Sequence, residues 1–428
     1  MRSRLALSTA LLVALSVLGC TGKLGGFGTP GLDSGRSSAD AGSPLDANGG
    51  ADVPASGDAA AVDDGPADAP IDAGACVRGT LAEALNTVTV SLGSPAARVL
   101  SAPTADGGTV LAWSGPGGVH VTRVSATGAR MGTDAVVPGT SVEALAVRGD
   151  VWGVLVARSP DILAFVGIAP AGSISFDRVL VGGVDHSVTG NEWYGALPEA
   201  RLAATPTGFG AYFTIQRLWP DGIAHQGDTL QFFAADGGED RSGGWDWGCS
   251  HSLAVRLGHD GSSAGAACVS DCFPGKGVYF NHTTEVFADP SGDCSGSSGS
   301  ALGAIVGTAT GFVIAFTSAE GRTSSDVGIV GIGRGGRPGR PDWLTSDDVA
   351  DGAAHLGSFE GGLVAGWTAG SSSFLVRLDD TGAPVDSPEA VSASLGQASD
   401  FFSWPNGDVG WSEPASGDAR LFRLRACP

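Results

Sequence analysis

Lysine is almost absent from this 428-residue chain, which has only Lys23 and Lys276, and charged residues of every kind make up 16% of it. What charge there is runs negative. The 24 Lys and Arg stand against 45 Asp and Glu, a formal net of −21. Such a balance excludes nucleic acid as a natural partner, since its binding proteins need a basic stripe that releases counterions. It also excludes attraction to an anionic membrane surface. The cluster Arg334, Arg337 and Arg340 sits in a Gly/Pro-rich turn and is too small to reverse this. Helical periodicity is missing too, which argues against an α-helical fold. No HExxH or Walker A string occurs, so that zinc-protease and nucleotide chemistry are not indicated. The seven cysteines include no twin C-x-x-C, and Cys268 to Cys272 is a lone C-x-x-x-C, which excludes the common structural zinc sites.

What the chain does have begins with an export signal. Arg2 and Arg4 precede an apolar run from Leu5 to Leu18. A membrane-spanning helix needs about 20 apolar residues, so this run is too short to span comfortably. It ends in Val17-Leu18-Gly19-Cys20, which resembles a bacterial lipobox. The resemblance implies a signal peptide over 1–19 and a diacylglycerol on the thiol of Cys20. Thr21 stands where an Asp would mark inner-membrane retention, so the expected address is the cell envelope at the outer membrane. Residues 20–75 then read as an acidic linker of Gly, Ala, Pro, Ser and Asp, without one aromatic after Phe27. Nine Asp face only Lys23 and Arg36 there. A segment like this buries too little apolar surface to offset its ordering entropy and is expected to be a disordered tether.

The remaining stretch, 76–428, is rich in Gly, Val, Ala and Trp. Its short apolar runs (Thr109 to Trp113, Val119 to Val124, Ile162 to Ile168, Phe312 to Thr317, Phe374 to Leu378) are each stopped by Gly, Pro, Asp or Ser. Regular short strands with turn signals between them indicate an all-β sandwich, barrel or propeller. Repetition decides among these. Trp113, Arg123 and Thr127-Gly128-Ala129 recur as Trp367, Arg377 and Thr381-Gly382-Ala383, every pair offset by 254 positions. Repeats of about 40 residues with four strands each are propeller blades. The expectation is therefore an all-β propeller of seven blades, with six or eight as alternatives, near 102–139, 142–183, 197–248, 252–292, 300–346, 352–393 and 397–427. The last span is one strand short, and Val88 to Leu92 is placed to supply it. Two β-sandwiches are the competing architecture. An even set of six cysteines beyond Cys20 reads as three disulfides in an oxidising compartment. Cys76 and Cys427 are expected to bridge the ring closure. Cys249, Cys268, Cys272 and Cys294 leave three pairings open.

The most distinctive text runs from Glu192 to His282. It holds His225-Gln226-Gly227-Asp228, then Gly244-Trp245-Asp246-Trp247-Gly248-Cys249-Ser250-His251, then Ser270-Asp271-Cys272-Phe273-Pro274 and Asn281-His282. These strings resemble those of uncharacterised, propeller-like lipoproteins of the myxobacterial type, over about a quarter of the chain. The resemblance implies a fold and no activity. Imidazole and carboxylate together suit a divalent ion, and indole faces suit the C–H surfaces of sugars. His225, Asp228, Trp245, Asp246, His251, Asp271 and His282 are therefore the candidate ligand or metal cluster. No cofactor is specified. The blander reading is that they tie turns to strands. Gly261-Ser262-Ser263-Ala264-Gly265 spells a nucleophile elbow, but no helix follows it. Arg148-Gly149-Asp150 reads as a turn.

No complete catalytic constellation emerges. The expected function is a monomeric binding or scaffold module, held at the membrane by its lipid and facing an envelope protein or glycan. The alternative is a metal-assisted hydrolase or lyase acting on polysaccharide or peptide, resting on the His/Asp/Trp cluster alone.

Overall fold

The computed structural model describes residues 79–195, 199–251, 254–289, 294, 297–396 and 400–427. Cys20, the signal, the acidic linker and Cys76 lie outside the described residues. Seven antiparallel sheets follow one another along the chain, each a meander of neighbouring strands. Blade 1 is Val99–Pro103, Thr109–Gly115, Gly118–Val124 and Arg130–Val137. Blade 2 is Ser141–Arg148, Val151–Ser159, Ile162–Ile168 and Ile174–Val181. Blade 3 is Ala200–Ala204, Gly208–Leu218, Ala224–Ala234 and Glu239–Trp245, with Glu192–Trp193 added beside its second strand. Blade 4 is Ala254–His259, Ala264–Ser270, Gly277–Phe280 and Thr284–Ala288. Blade 5 is Ser300–Thr308, Gly311–Ser318, Asp326–Gly333 and Asp342–Trp343, and blade 6 is Asp351–Phe359, Gly362–Ala369, Ser372–Leu378 and Glu389–Val391.

Blade 7 draws on both ends of this region. Phe402–Ser403, Val409–Ala415 and Asp418–Leu424 are joined by Leu85–Ser91, which pairs antiparallel from Leu85↔Leu424 to Ser91↔Asp418. The strand expected at Val88 to Leu92 is thus present, starting three residues earlier. Closing the ring this way removes two open sheet edges, each a template for unwanted pairing. Cys427 is disulfide-bonded; its expected partner Cys76 lies outside the described residues.

Burial explains why the second strands read as continuous apolar runs. Every residue of Gly311–Ser318 is buried, and so are the first five of Thr109–Gly115. These strands are covered on both faces by neighbouring sheets, so alternation would leave polar groups inside. Val110, Ala112 and Val121 of blade 1 pack with Val142, Trp152 and Val154 of blade 2 in one such layer. The outer strand Arg130–Val137 lies at the edge and is mostly exposed. Trp113, Trp367 and Trp411 are buried in the second strands of blades 1, 6 and 7.

The repeated Arg has a matching role. Arg123 pairs with Asp106, Arg377 lies 3.4 Å from Glu360, and Arg423 donates to Asp408 at 2.6 Å. In all three blades, a third-strand guanidinium clasps an acid in the turn between strands one and two. The repeat in the text is therefore a repeated clasp in space.

Candidate functional site

Strand direction alternates within each blade. The turns between strands two and three, and the connections from one blade to the next, therefore share one face, called here the front. Turns between strands one and two, and three and four, form the rear.

A belt of charge crosses the axis near the front, built from the beginnings of the innermost strands. Arg201 contacts Glu199 at 3.0 Å and Asp400 at 2.6 Å. Arg256 pairs with the same Glu199 and lies 3.5 Å from Asp400. Arg98 lies 3.4 Å from Glu143. Backbone carbonyls take further donors: Arg256 Nε reaches Gly303 O at 2.5 Å, and Arg201 Nη1 reaches Ala200 O at 2.9 Å. Burial pushes the Glu199 and Asp400 carboxyls up, but their guanidinium neighbours outweigh it and hold both below the usual carboxylate range. Burial drags the ring of His355 down to about 4, so it is neutral at pH 7; the ring stacks on Phe401 at 5.0 Å. Three guanidinium and three carboxylate groups thus cancel in a site where unpaired charge would be costly. The belt walls a cavity of about 270 Å³ whose other walls include Leu100, Leu145, Leu257 and Ile305.

The sequence reading missed this belt. Its signal is a single polar residue inside an apolar innermost strand: Val142-Glu143-Ala144, Ala200-Arg201-Leu202, Val255-Arg256-Leu257 and Ala354-His355-Leu356.

The cluster proposed from sequence divides into three parts. Asp228 is fully buried and accepts from Trp245 Nε1 and from Cys249 N, each at 3.1 Å. Together these two bonds pin the 245–249 segment to the strand Ala224–Ala234. Two glycines make that possible. A Cβ on Gly248 would stand 1.9 Å from Asp228 Oδ1, and one on Gly227 would stand 2.6 Å from the indole of Trp247. The Gly-Asp and Trp-Gly-Cys strings are thus two halves of one interlock. Asp228 also lies with the sulfurs of Cys249 and Cys268 inside 4.8 Å, a spacing that suits a metal. Those sulfurs are bonded to each other and offer no thiolate. The donor set does not fit an ion.

A second part lies on the front. His225 Nε2 meets Asp221 at 2.9 Å, and His251 Nδ1 meets Asp271 at 3.1 Å, raising its pKa. The two imidazoles stack 5.9 Å apart. Trp219 meets Trp247 edge-on at 5.7 Å. Next to His251, Ser250 N donates to Phe273 O at 2.8 Å, tying the 249–251 segment to the next blade's turn. Cys272–Cys294 joins that turn to the connection into blade 5. Phe273 is 62% exposed, Ile223 52% and Trp219 39%. His186, stacked on Trp193 at 4.5 Å and 3.4 Å from Asp161, extends this rim to blade 2.

Trp245 and His282 form the third part, opening to the rear. Their rings meet at 4.4 Å in a groove between blades 3 and 4. Residue 230, which pairs with Trp245, is five positions from His225 on one strand, roughly 17 Å. The three histidines therefore do not converge. Asp246 has an exposed side chain and contributes its backbone oxygen, which accepts from Thr229 Oγ1 at 2.9 Å. The four inner cysteines resolve as Cys249–Cys268 and Cys272–Cys294.

No protein-family model matches this chain, and no curated protein matches its sequence. Solved structures similar to it include the Dos1 propeller, with a TM-score of 0.44 at 11% identity, over 74% of this chain and 75% of that one. The Cps50 (Swd1) β-propeller domain of Myceliophteria thermophila aligns with a TM-score of 0.43 at 9% identity, over 79% and 98%. YCF48 bound to D1 peptide aligns with a TM-score of 0.41 at 11% identity, over 79% and 94%. The strand pairing defines the class by itself. This is a seven-bladed β-propeller whose ring is closed by an N-terminal strand.

Proposed function

We propose that this chain is a cell-envelope lipoprotein, anchored at the outer membrane through Cys20 and the 20–75 tether. On this reading its propeller is a monomeric binding or scaffold module for an envelope protein or glycan. The front rim of blades 3 and 4 is its docking surface. One observation carries the proposal: Trp219 and Ile223 stand exposed on the blade 3 turn, and Phe273 on the blade 4 turn that the Cys272–Cys294 disulfide fixes. Large aromatics held rigidly in solvent cost little entropy when a partner covers them, which is the physics of a binding hot spot. The axial belt cannot play this part, since its charges are spent on one another.

The test is retention of envelope components on the immobilised full-length chain. Wild type is expected to retain a specific protein or glycan, and the Trp219→Ala/Phe273→Ala variant to lose at least tenfold of it. Equal retention by both would remove the rim from the account. Metabolic labelling with a fatty-acid analogue checks the anchor: label absent from Cys20→Ser and present in wild type is the expected pattern.

A further inference from the structure

The rear groove between blades 3 and 4 has a volume of about 510 Å³, larger than the axial cavity, and nothing in the docking proposal uses it. Its floor is Trp245. That indole is locked from behind, because Nε1 donates to buried Asp228 and the ring meets Tyr212 edge-on at 5.7 Å. One aromatic surface is thereby held at a fixed angle toward the groove, half-buried and framed by Phe232 and the edge of His282. The remaining lining mixes short polar groups, among them Asp240, Ser242, Ser262 and Asn281, with the apolar Pro206, Leu230, Phe233 and Ala264. One carboxylate and two imidazoles are its only titratable groups among the described residues. Burial keeps both imidazoles, His259 and His282, below their usual pKa, so neither supplies a cation at neutral pH.

We propose that this groove binds a neutral glycan, with a sugar ring stacked on Trp245. Each feature selects for that chemistry. A locked aromatic plane suits the C–H face of a pyranose, and its ordering entropy is already spent. Short hydroxyl, amide and carboxylate groups suit the hydroxyls around a sugar's rim. An anionic polysaccharide would meet Asp240 with no cation to offset it, inside a chain of net charge −21. A protein partner would need a broader surface than this groove provides.

The experiment titrates maltohexaose, cellohexaose and chitohexaose into the full-length chain, read by tryptophan emission and calorimetry. At least one probe is expected to saturate. Its affinity is expected to fall tenfold or more in His282→Gly, which removes the ring while glycine tolerates the φ of 52° found there. Thr207→Arg, an exposed turn substitution that fills the groove, tests the same point without touching the Asp228 interlock. Val385→Ala, remote on blade 6, is expected to change nothing. Saturation by none of the three probes overturns the inference, as does a loss of affinity in Trp219→Ala with His282→Gly and Thr207→Arg unaffected. Neither result bears on front-rim retention of an envelope protein, so the two proposals fail separately.

Discussion

The axial belt and the front rim are made of similar materials, Arg, Asp, Glu and His placed against aromatics, yet they do opposite things. In the belt every charge is answered by another charge or a carbonyl, and the guanidinium groups of Arg201 and Arg256 are buried. At the rim, by contrast, imidazole–carboxylate pairs stay in contact with water and the aromatics beside them are uncovered. The lesson is that residue type alone does not mark a site; what each group has already been paired with decides whether it can still bind. The belt's pairing power is used up in holding innermost strands together. The rim's is not.

Breaking the belt should have the largest effect. Arg256→Met leaves Glu199 and Asp400 with one guanidinium instead of two, and is expected to cost about 3–5 kcal/mol, measured as a lower denaturant midpoint. Acid should attack the same place through His355. Its folded pKa of about 4 lies below the unfolded value of 6.5. The unfolded chain therefore binds the proton more readily, and stability is full above pH 6.5 and falls as pH drops toward 4. The loss approaches about 3 kcal/mol over that window, at 1.36 kcal/mol per pKa unit. His355→Leu should flatten that limb of the pH–stability curve. If the curve keeps its slope in the variant, another group is responsible.

Next comes the interlock. Asp228→Ala strands the Trp245 and Cys249 donors in a buried site and is expected to cost about 3 kcal/mol. Gly227→Ala, which drives a methyl into Trp247, should cost about 1–3 kcal/mol; a neutral Gly227→Ala would mean that the Trp247 contact is slack. Smallest of all, Trp219→Ala should shift stability by less than about 0.5 kcal/mol, as surface changes usually do.

Much of the architecture is legible in the sequence. The offset of 254 between Trp113-Arg123 and Trp367-Arg377 is legible because one physical device, an Arg clasping a turn acid, was used repeatedly. The fourth strand of blade 7 was legible because the chain's last blade was one strand short. The site was legible only in part. Asp228, Trp245 and His251 were picked out by their company in the text, but the text could not say that Asp228 faces inward while His251 faces solvent. Strand alternation separates neighbours in sequence onto opposite sides, and blade geometry sends His225 to the front and His282 to the rear. The belt escaped altogether because Arg98, Glu143, Arg201, Arg256 and Asp400 come from different blades. No local pattern joins them; only the ring brings them to one axis.

The central claim is that stability resides in the paired axis and binding in the uncovered aromatic rim. Its most direct test is to measure partner retention and denaturant midpoint together for Trp219→Ala/Phe273→Ala. An unchanged midpoint with retention lost is the predicted result. Unchanged retention, or a midpoint that falls as far as that of Arg256→Met, would contradict it.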